Sequence, residues 1–276
     1  MSHFSVAVFT DGKKSVEDLL ERYCESVEDL AEDYIMFHDA TEEIKKEYED
    51  GMIEGIKIGD KYYSCYSQQA RDCFDAGGTL KAGYVIEKVP IKVVYSSIEE
   101  LAEEYFAYKY YEKEGAYGYY YNPDAKWDWY EEGGRFSGML YSKLEEGYVD
   151  SAEMSDIDFE RMTADAKEEL KQGYERMLTD YAEAVTRGDK RLVEYFRNMF
   201  VEYPTAGEYA NRVGTFLTYA VVMPDGKWYE PGEMGWWGIS TATESQKQTW
   251  NENYWNTFIE VAKKNNWCMT IIDCHI

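Results

Sequence analysis

The residues best equipped for chemistry sit near the two ends of the chain and around its tryptophans. Asp273-Cys274-His275 offers a thiol nucleophile beside a possible base. If this stretch is a strand, however, Cys274 and His275 point to opposite faces and cannot form a dyad with each other. Only His3 and His38 could serve as a distant base, and His3 would reach Cys274 only if the first and last strands are neighbours. The expected reading is a terminal strand that packs, with no catalytic residue assigned. A second cluster is Trp127, Asp128, Trp129 and Arg135, with Trp236 and Trp237 further along. Guanidinium plus indole can hold a nucleotide or a carboxylate, so these six residues define a candidate ligand or partner cleft.

Metal and phosphate motifs are missing. There is no CxxC, HExxH or EF-hand pattern, and Gly77-Gly78 and Gly133-Gly134 lack a Walker context. Asp128, Glu131, Glu230, Glu233 and Asp273 could supply oxygen ligands, but with 54 acids in the chain the expectation is solvated carboxylates, no metal and no cofactor.

The elements that must position these residues follow from periodicity. His3–Thr10 alternates as a strand, and Ser15-Val16-Glu17-Asp18 opens a helix with apolar positions running to Leu30. Thr41 caps a charged helix ending at Gly51, 53–67 and 84–95 look like strands, and Ser97 opens a helix to about Glu112. Residues 115–138 read as loop and hairpin, and 156–198 as two helices broken near Arg187-Gly188-Asp189. Thr215–Met223 and Lys227–Tyr229 form a hairpin, Thr243 caps a helix to about Lys264, and Trp267–Ile276 closes as a strand. The fold class is α+β: an antiparallel or mixed sheet with helices mainly on one face and a helical insertion at about 156–198. With no Pro/Ser-rich linker, one composite domain over 1–276 is expected.

The charge carries the remaining signal. Against 54 acidic residues stand 29 Lys and Arg, a net charge of −25, while 17% of residues are aromatic, too many for a disordered acidic tail. Such a surface repels phosphate backbones, so direct nucleic-acid binding is not expected. No apolar run approaches the roughly 20 residues that cross a bilayer. The start lacks a signal-peptide pattern, and five unclustered cysteines suit reduced thiols, so a cytoplasmic location is expected. Glu17, Asp18, Glu42, Glu43, Glu47, Glu49 and Asp50 crowd the first helices and form a candidate acidic interaction surface.

Four segments carry a resemblance: Met1-Ser2-His3-Phe4-Ser5-Val6; Asn122-Pro123-Asp124-Ala125-Lys126-Trp127-Asp128-Trp129-Tyr130 running into Gly133-Gly134-Arg135; Gly226-Lys227-Trp228 with Gly232-Glu233-Met234-Gly235-Trp236-Trp237-Gly238; and Asp273-Cys274-His275-Ile276. Together they resemble a family of uncharacterised proteins of tailed bacteriophages and prophages. The resemblance implies a phage-type origin, with no known activity and no assigned catalytic residues. Combined with the charge, it leads to an expected non-enzymatic interaction protein. That protein would bind a basic surface on a host defence or nucleic-acid-processing protein and inhibit it, as a nucleic-acid mimic. The alternative is a nucleotide-binding protein or hydrolase using the Trp/Arg135 cleft.

Overall fold

The computed structural model describes residues 2–28, 30–235 and 238–276. It is an α+β fold with mixed and antiparallel sheets. Where one composite domain was expected, the chain groups into two compact units: Met1–Ser26 with Asp124–Ile276, and Val27–Pro123.

The first unit is built on a mixed sheet of six strands: β1 (His3–Thr10), β2 (Trp129–Glu132), β3 (Ser151–Glu153), β4 (Ala220–Val222), β5 (Trp228–Tyr229) and β6 (Cys268–His275). β1 lies between β6, which it pairs antiparallel over its whole length, and β4, which it pairs in parallel. The other edge of β6 is shared by β3 and β2.

Period-2 alternation sorts the two central strands onto two cores. Ala7, Phe9, Met269 and Ile271 face the helices, packing with Met162, Tyr254, Phe258 and Ile259. Phe4, Val6, Val8, Ile272 and Cys274 face the other way, under Leu19, Leu20 and Trp127. Each large apolar side chain buried in this way contributes roughly 1.5–3 kcal/mol. By the same alternation, His3 and Ser5 continue the Phe9 face, and Asp273 and His275 continue the Ile271 face. One end of an otherwise apolar sheet face is therefore polar.

The expected helical stretch is present and longer than 156–198. Phe159–Arg187 is capped by Asp158, ends at Gly188 in the left-handed region (φ 70), and is followed by Lys190–Glu202 capped by Asp189. Ala206–Val213 adds a third helix, and Tyr174, Tyr181 and Phe200 pack edge to face within the group. Thr243 closes a capping box with Gln246 at the head of the helical run that ends at Asn265.

Five expected elements differ. The first helix covers only Val16–Leu20 and ends in a tight turn at Tyr23, because the Tyr23 carbonyl accepts from the Lys126 and Trp127 amides and Glu25 donates to Trp127. Backbone groups spent on that pairing cannot extend a helix to Leu30. The helix opened by Ser97 stops at Tyr105, since Lys109–Tyr111 pairs as a strand with Ala116–Tyr121. The 53–67 stretch is a hairpin of Met52–Ile58 and Lys61–Ser64, and the strand Ile86–Pro90 gives way to a helical turn at Ile91–Val94. Of Thr215–Met223 only Ala220–Val222 is strand.

The second unit holds two small antiparallel sheets, one of them the Tyr-rich sheet of Met36–Asp39, Lys109–Tyr111 and Ala116–Tyr121. Its helix Thr41–Asp50 ends at Gly51 as expected, but Thr41 Oγ1 accepts from the Tyr117 amide and does not cap the helix. No helix among the described residues is long and apolar enough to cross a membrane.

Candidate functional site

The polar end of the sheet face in the first unit brings together two histidines from opposite ends of the sequence. His3 and His275 are direct partners in the β1–β6 register, and their rings meet edge to face at 5.0 Å. Each ring is held by its own carboxylate. His3 Nδ1 lies 2.9 and 3.1 Å from the two Asp273 oxygens, and His275 Nδ1 lies 2.6 Å from Asp128 Oδ1. An ionised carboxylate only accepts, so each Nδ1 carries the donated proton and each Nε2 is left for other work. The His275 Nε2 atom is buried and has no hydrogen-bond partner among the described residues. A buried polar atom without a partner is rare and marks a place where a ligand, water or substrate is expected.

The carboxylates differ in setting. The Asp273 side chain is only 2% exposed and its Oδ2 also accepts from the Arg135 amide at 2.9 Å. The Asp128 side chain is 38% exposed, and its Oδ1 accepts from the Trp129 amide as well as from His275. Asp128 is further fixed by its own amide, which donates to the His275 carbonyl. Trp129, opposite His275 in the β2–β6 register, stacks on that imidazole at 5.1 Å and 17°.

The Arg135 amide reaches Asp273 because the chain turns sharply at Gly133 (φ 69) and Gly134 (φ 50). A Cβ on Gly134 would stand 2.5 Å from Asp273 Cβ and 2.6 Å from its Oδ2, in a spot where the carboxylate has nowhere to retreat. Gly134→Ala is therefore expected to displace Asp273 and to cost roughly 1–3 kcal/mol of stability, read by urea denaturation. A variant as stable as the parent would mean that this turn does not seat the carboxylate.

Together His3, Trp129, Glu131, Arg135, Asp273 and His275 line an open cleft of about 610 Å³. Among the described residues no three His, Cys, Asp or Glu side chains are placed to hold one metal ion. What the arrangement offers is acid–base chemistry between two imidazoles of fixed tautomer.

The candidate cleft residues named from sequence are distributed as follows. Asp128, Trp129 and Arg135 come together here. Trp127 does not: it points through the sheet to the opposite core, 8% exposed, with its indole N–H donated to the Leu20 carbonyl. Trp236 and Trp237 lie outside the described residues. His3, Asp273 and His275 were not assigned to a site from sequence. The proposed approach of His3 to Cys274 is absent although β1 and β6 are neighbours, since Cys274 faces the other core, opposite Phe4. Burial pushes its thiol far above the ordinary cysteine range, with the Asp273 charge adding to the shift. In the folded protein Cys274 is expected to resist an aromatic disulfide reagent and to react once urea unfolds the chain; rapid native labelling of Cys274, located by peptide mapping, would contradict this burial.

The candidate acidic residues are all exposed. Glu17 and Asp18 belong to the first unit, where the Ser15 amide and hydroxyl hold the Asp18 carboxyl below its usual range. Glu42, Glu43, Glu47, Glu49 and Asp50 share the Thr41–Asp50 helix of the second, with Glu42 paired to Lys45 at 2.8 Å. Compared with protein-family models, with curated proteins and with solved structures, the chain matches none.

Proposed function

We propose that the first unit is an acid–base enzyme of the hydrolase type, with His3 and His275 as its proton-transferring groups. The observation that carries this reading is the pair of carboxylate-held imidazoles facing each other, one with a buried Nε2 that no described residue satisfies. Aligning two imidazoles and two carboxylates on one sheet end is costly as mere packing, because apolar residues would fill the same face without partners to satisfy. His3, whose Nδ1 is held by both oxygens of the buried Asp273, takes the role of the acid. His275, with its free Nε2 lone pair, is the base. Asp128 and Asp273 are positioning residues.

The test is turnover of p-nitrophenyl acetate and bis(p-nitrophenyl) phosphate against pH. A bell-shaped profile is expected, with rates falling roughly 10²–10⁴-fold in His3→Gln or His275→Gln. His38→Gln, in the second unit, should leave the profile unchanged. Equal rates in the parent and a His3→Gln/His275→Gln double variant would overturn the assignment.

A second reading is an acidic interaction protein of phage type that inhibits a basic host protein by mimicking nucleic acid. It is favoured by the Thr41–Asp50 helix, whose five named carboxylates are all exposed while only Ile44 is buried. Reversing Glu42, Glu43 and Glu47 to Lys should then abolish a partner interaction that survives at low salt and is lost at about 0.5 M, where screening is strong. Retention unaffected by those reversals would sink it.

A further inference from the structure

The groups surrounding the two imidazoles narrow what they can act on. We infer that the cleft binds a small phosphodiester carrying a nucleobase, of the cyclic mononucleotide kind, and hydrolyses it; this rests on the acid–base reading above.

Arg135 supplies the first reason. Its side chain is exposed on the cleft wall, and no ion pair among the described residues uses its guanidinium. In a chain with 54 acidic against 29 basic residues, a guanidinium in no ion pair among the described residues beside the imidazole pair is suited to a phosphoryl group, which it grips with two parallel bonds. Trp129 supplies the second. His275 stacks on its indole and His3 meets it edge to face at 5.4 Å, yet the residue remains 43% exposed, leaving apolar ring surface at the cleft for a base to pack on. The third reason sets an upper limit on charge. Glu131 and Glu132 are exposed in the same cleft, and the chain carries a net −25, a field that opposes an extended polyanion. A single diester charge is met by Arg135, while a glutamate can accept from ribose hydroxyls. A long RNA or DNA strand would bring many uncompensated charges. The cleft volume of about 610 Å³ suits a ligand of mononucleotide size.

The reaction balances with water as the only co-reactant. His275 Nε2 takes a proton from water as the water oxygen forms a new bond to phosphorus. The bond from phosphorus to the leaving ester oxygen breaks with its electron pair, and His3 gives its Nε2 proton to that oxygen. A phosphomonoester and an alcohol result, no atom changes oxidation state, and the two rings return to their starting protonation through solvent.

The experiment uses the full chain with adenosine 2′,3′-cyclic phosphate, bis(p-nitrophenyl) phosphate and p-nitrophenyl acetate. Both diesters are expected to be hydrolysed, with KM raised roughly 10–100-fold in Arg135→Ala, the loss of charged hydrogen bonds, and partly restored in Arg135→Lys. Trp129→Ala should raise KM for the adenosine diester, while circular dichroism confirms that each variant is folded. If only p-nitrophenyl acetate is turned over, and that turnover depends on His3 and His275, the phosphodiester assignment falls and the acid–base site stands. If none of the three is turned over, both fall. Diester hydrolysis indifferent to Arg135 would also overturn the proposed phosphate contact.

Discussion

Replacing Asp273 by alanine is expected to destabilise the protein by about 2–5 kcal/mol, because two donors lose their acceptor at once. His3 Nδ1 and the Arg135 amide both converge on this carboxylate, whose side chain is 2% exposed and out of reach of bulk water. Each buried donor left unsatisfied costs roughly 1–3 kcal/mol, with no screening discount at this depth. The loss should appear in urea unfolding as a lower midpoint at unchanged slope. Asp273→Asn keeps an acceptor oxygen in place and should recover part of the difference. Since the Gly133–Gly134 turn delivers the Arg135 amide, the alanine variant should also loosen the cleft wall, and His3 should lose its fixed orientation. A shift smaller than about 0.5 kcal/mol, the level of an ordinary surface substitution, would mean that water replaces the carboxylate and that the site is more open than its geometry implies.

How far this site was legible in the sequence depends on which rule is followed. Strand alternation was enough to separate Cys274 from His275. The same alternation puts Asp273 and His275 on one face, two residues apart, and that pairing is the one that the fold uses. His3 was set against Cys274 because a thiol invites a base; the antiparallel register instead matches His3 with His275 directly. No local pattern gives that register, since it joins residues 272 positions apart in the chain (275 − 3). Asp128 illustrates the complementary difficulty. It stood out beside Trp127 and Trp129, and all three were placed in one cleft. Alternation would put Trp127 and Trp129 on one face. But Trp127 precedes β2 and bridges to Cys24, which seats its indole in a core while Trp129 stays at the surface, so adjacency overstated the cluster. Helix caps at Ser15, Ser97 and Thr243 were readable because a cap is local chemistry within four residues. Helix ends at Tyr23 and Tyr105 were not, because pairing with distant backbone set them.

Asp128→Asn separates positioning from stability in the way that Asp273 cannot. The Asp128 side chain is 38% exposed, so water can replace part of what it provides, and the expected stability loss is below about 1 kcal/mol. Its effect on turnover should be far larger, roughly 10²-fold or more. The carboxylate only accepts, which forces the His275 proton onto Nδ1 and leaves the lone pair on the buried Nε2. An amide keeps its carbonyl oxygen where Oδ1 receives both the Trp129 amide and His275 Nδ1, so the tautomer is kept. What is lost is the negative charge that stabilises the ring as it takes up a proton. The groups facing His275 are otherwise unchanged: Trp129 still stacks on it, and His3 with Asp273 still stands across from it. Nitrogen-15 spectra of the histidine side chains should therefore show the same His275 tautomer in Asp128→Asn, while kcat falls more than KM rises. Full activity in Asp128→Asn would remove Asp128 from the mechanism and, with it, the assignment of His275 as the base.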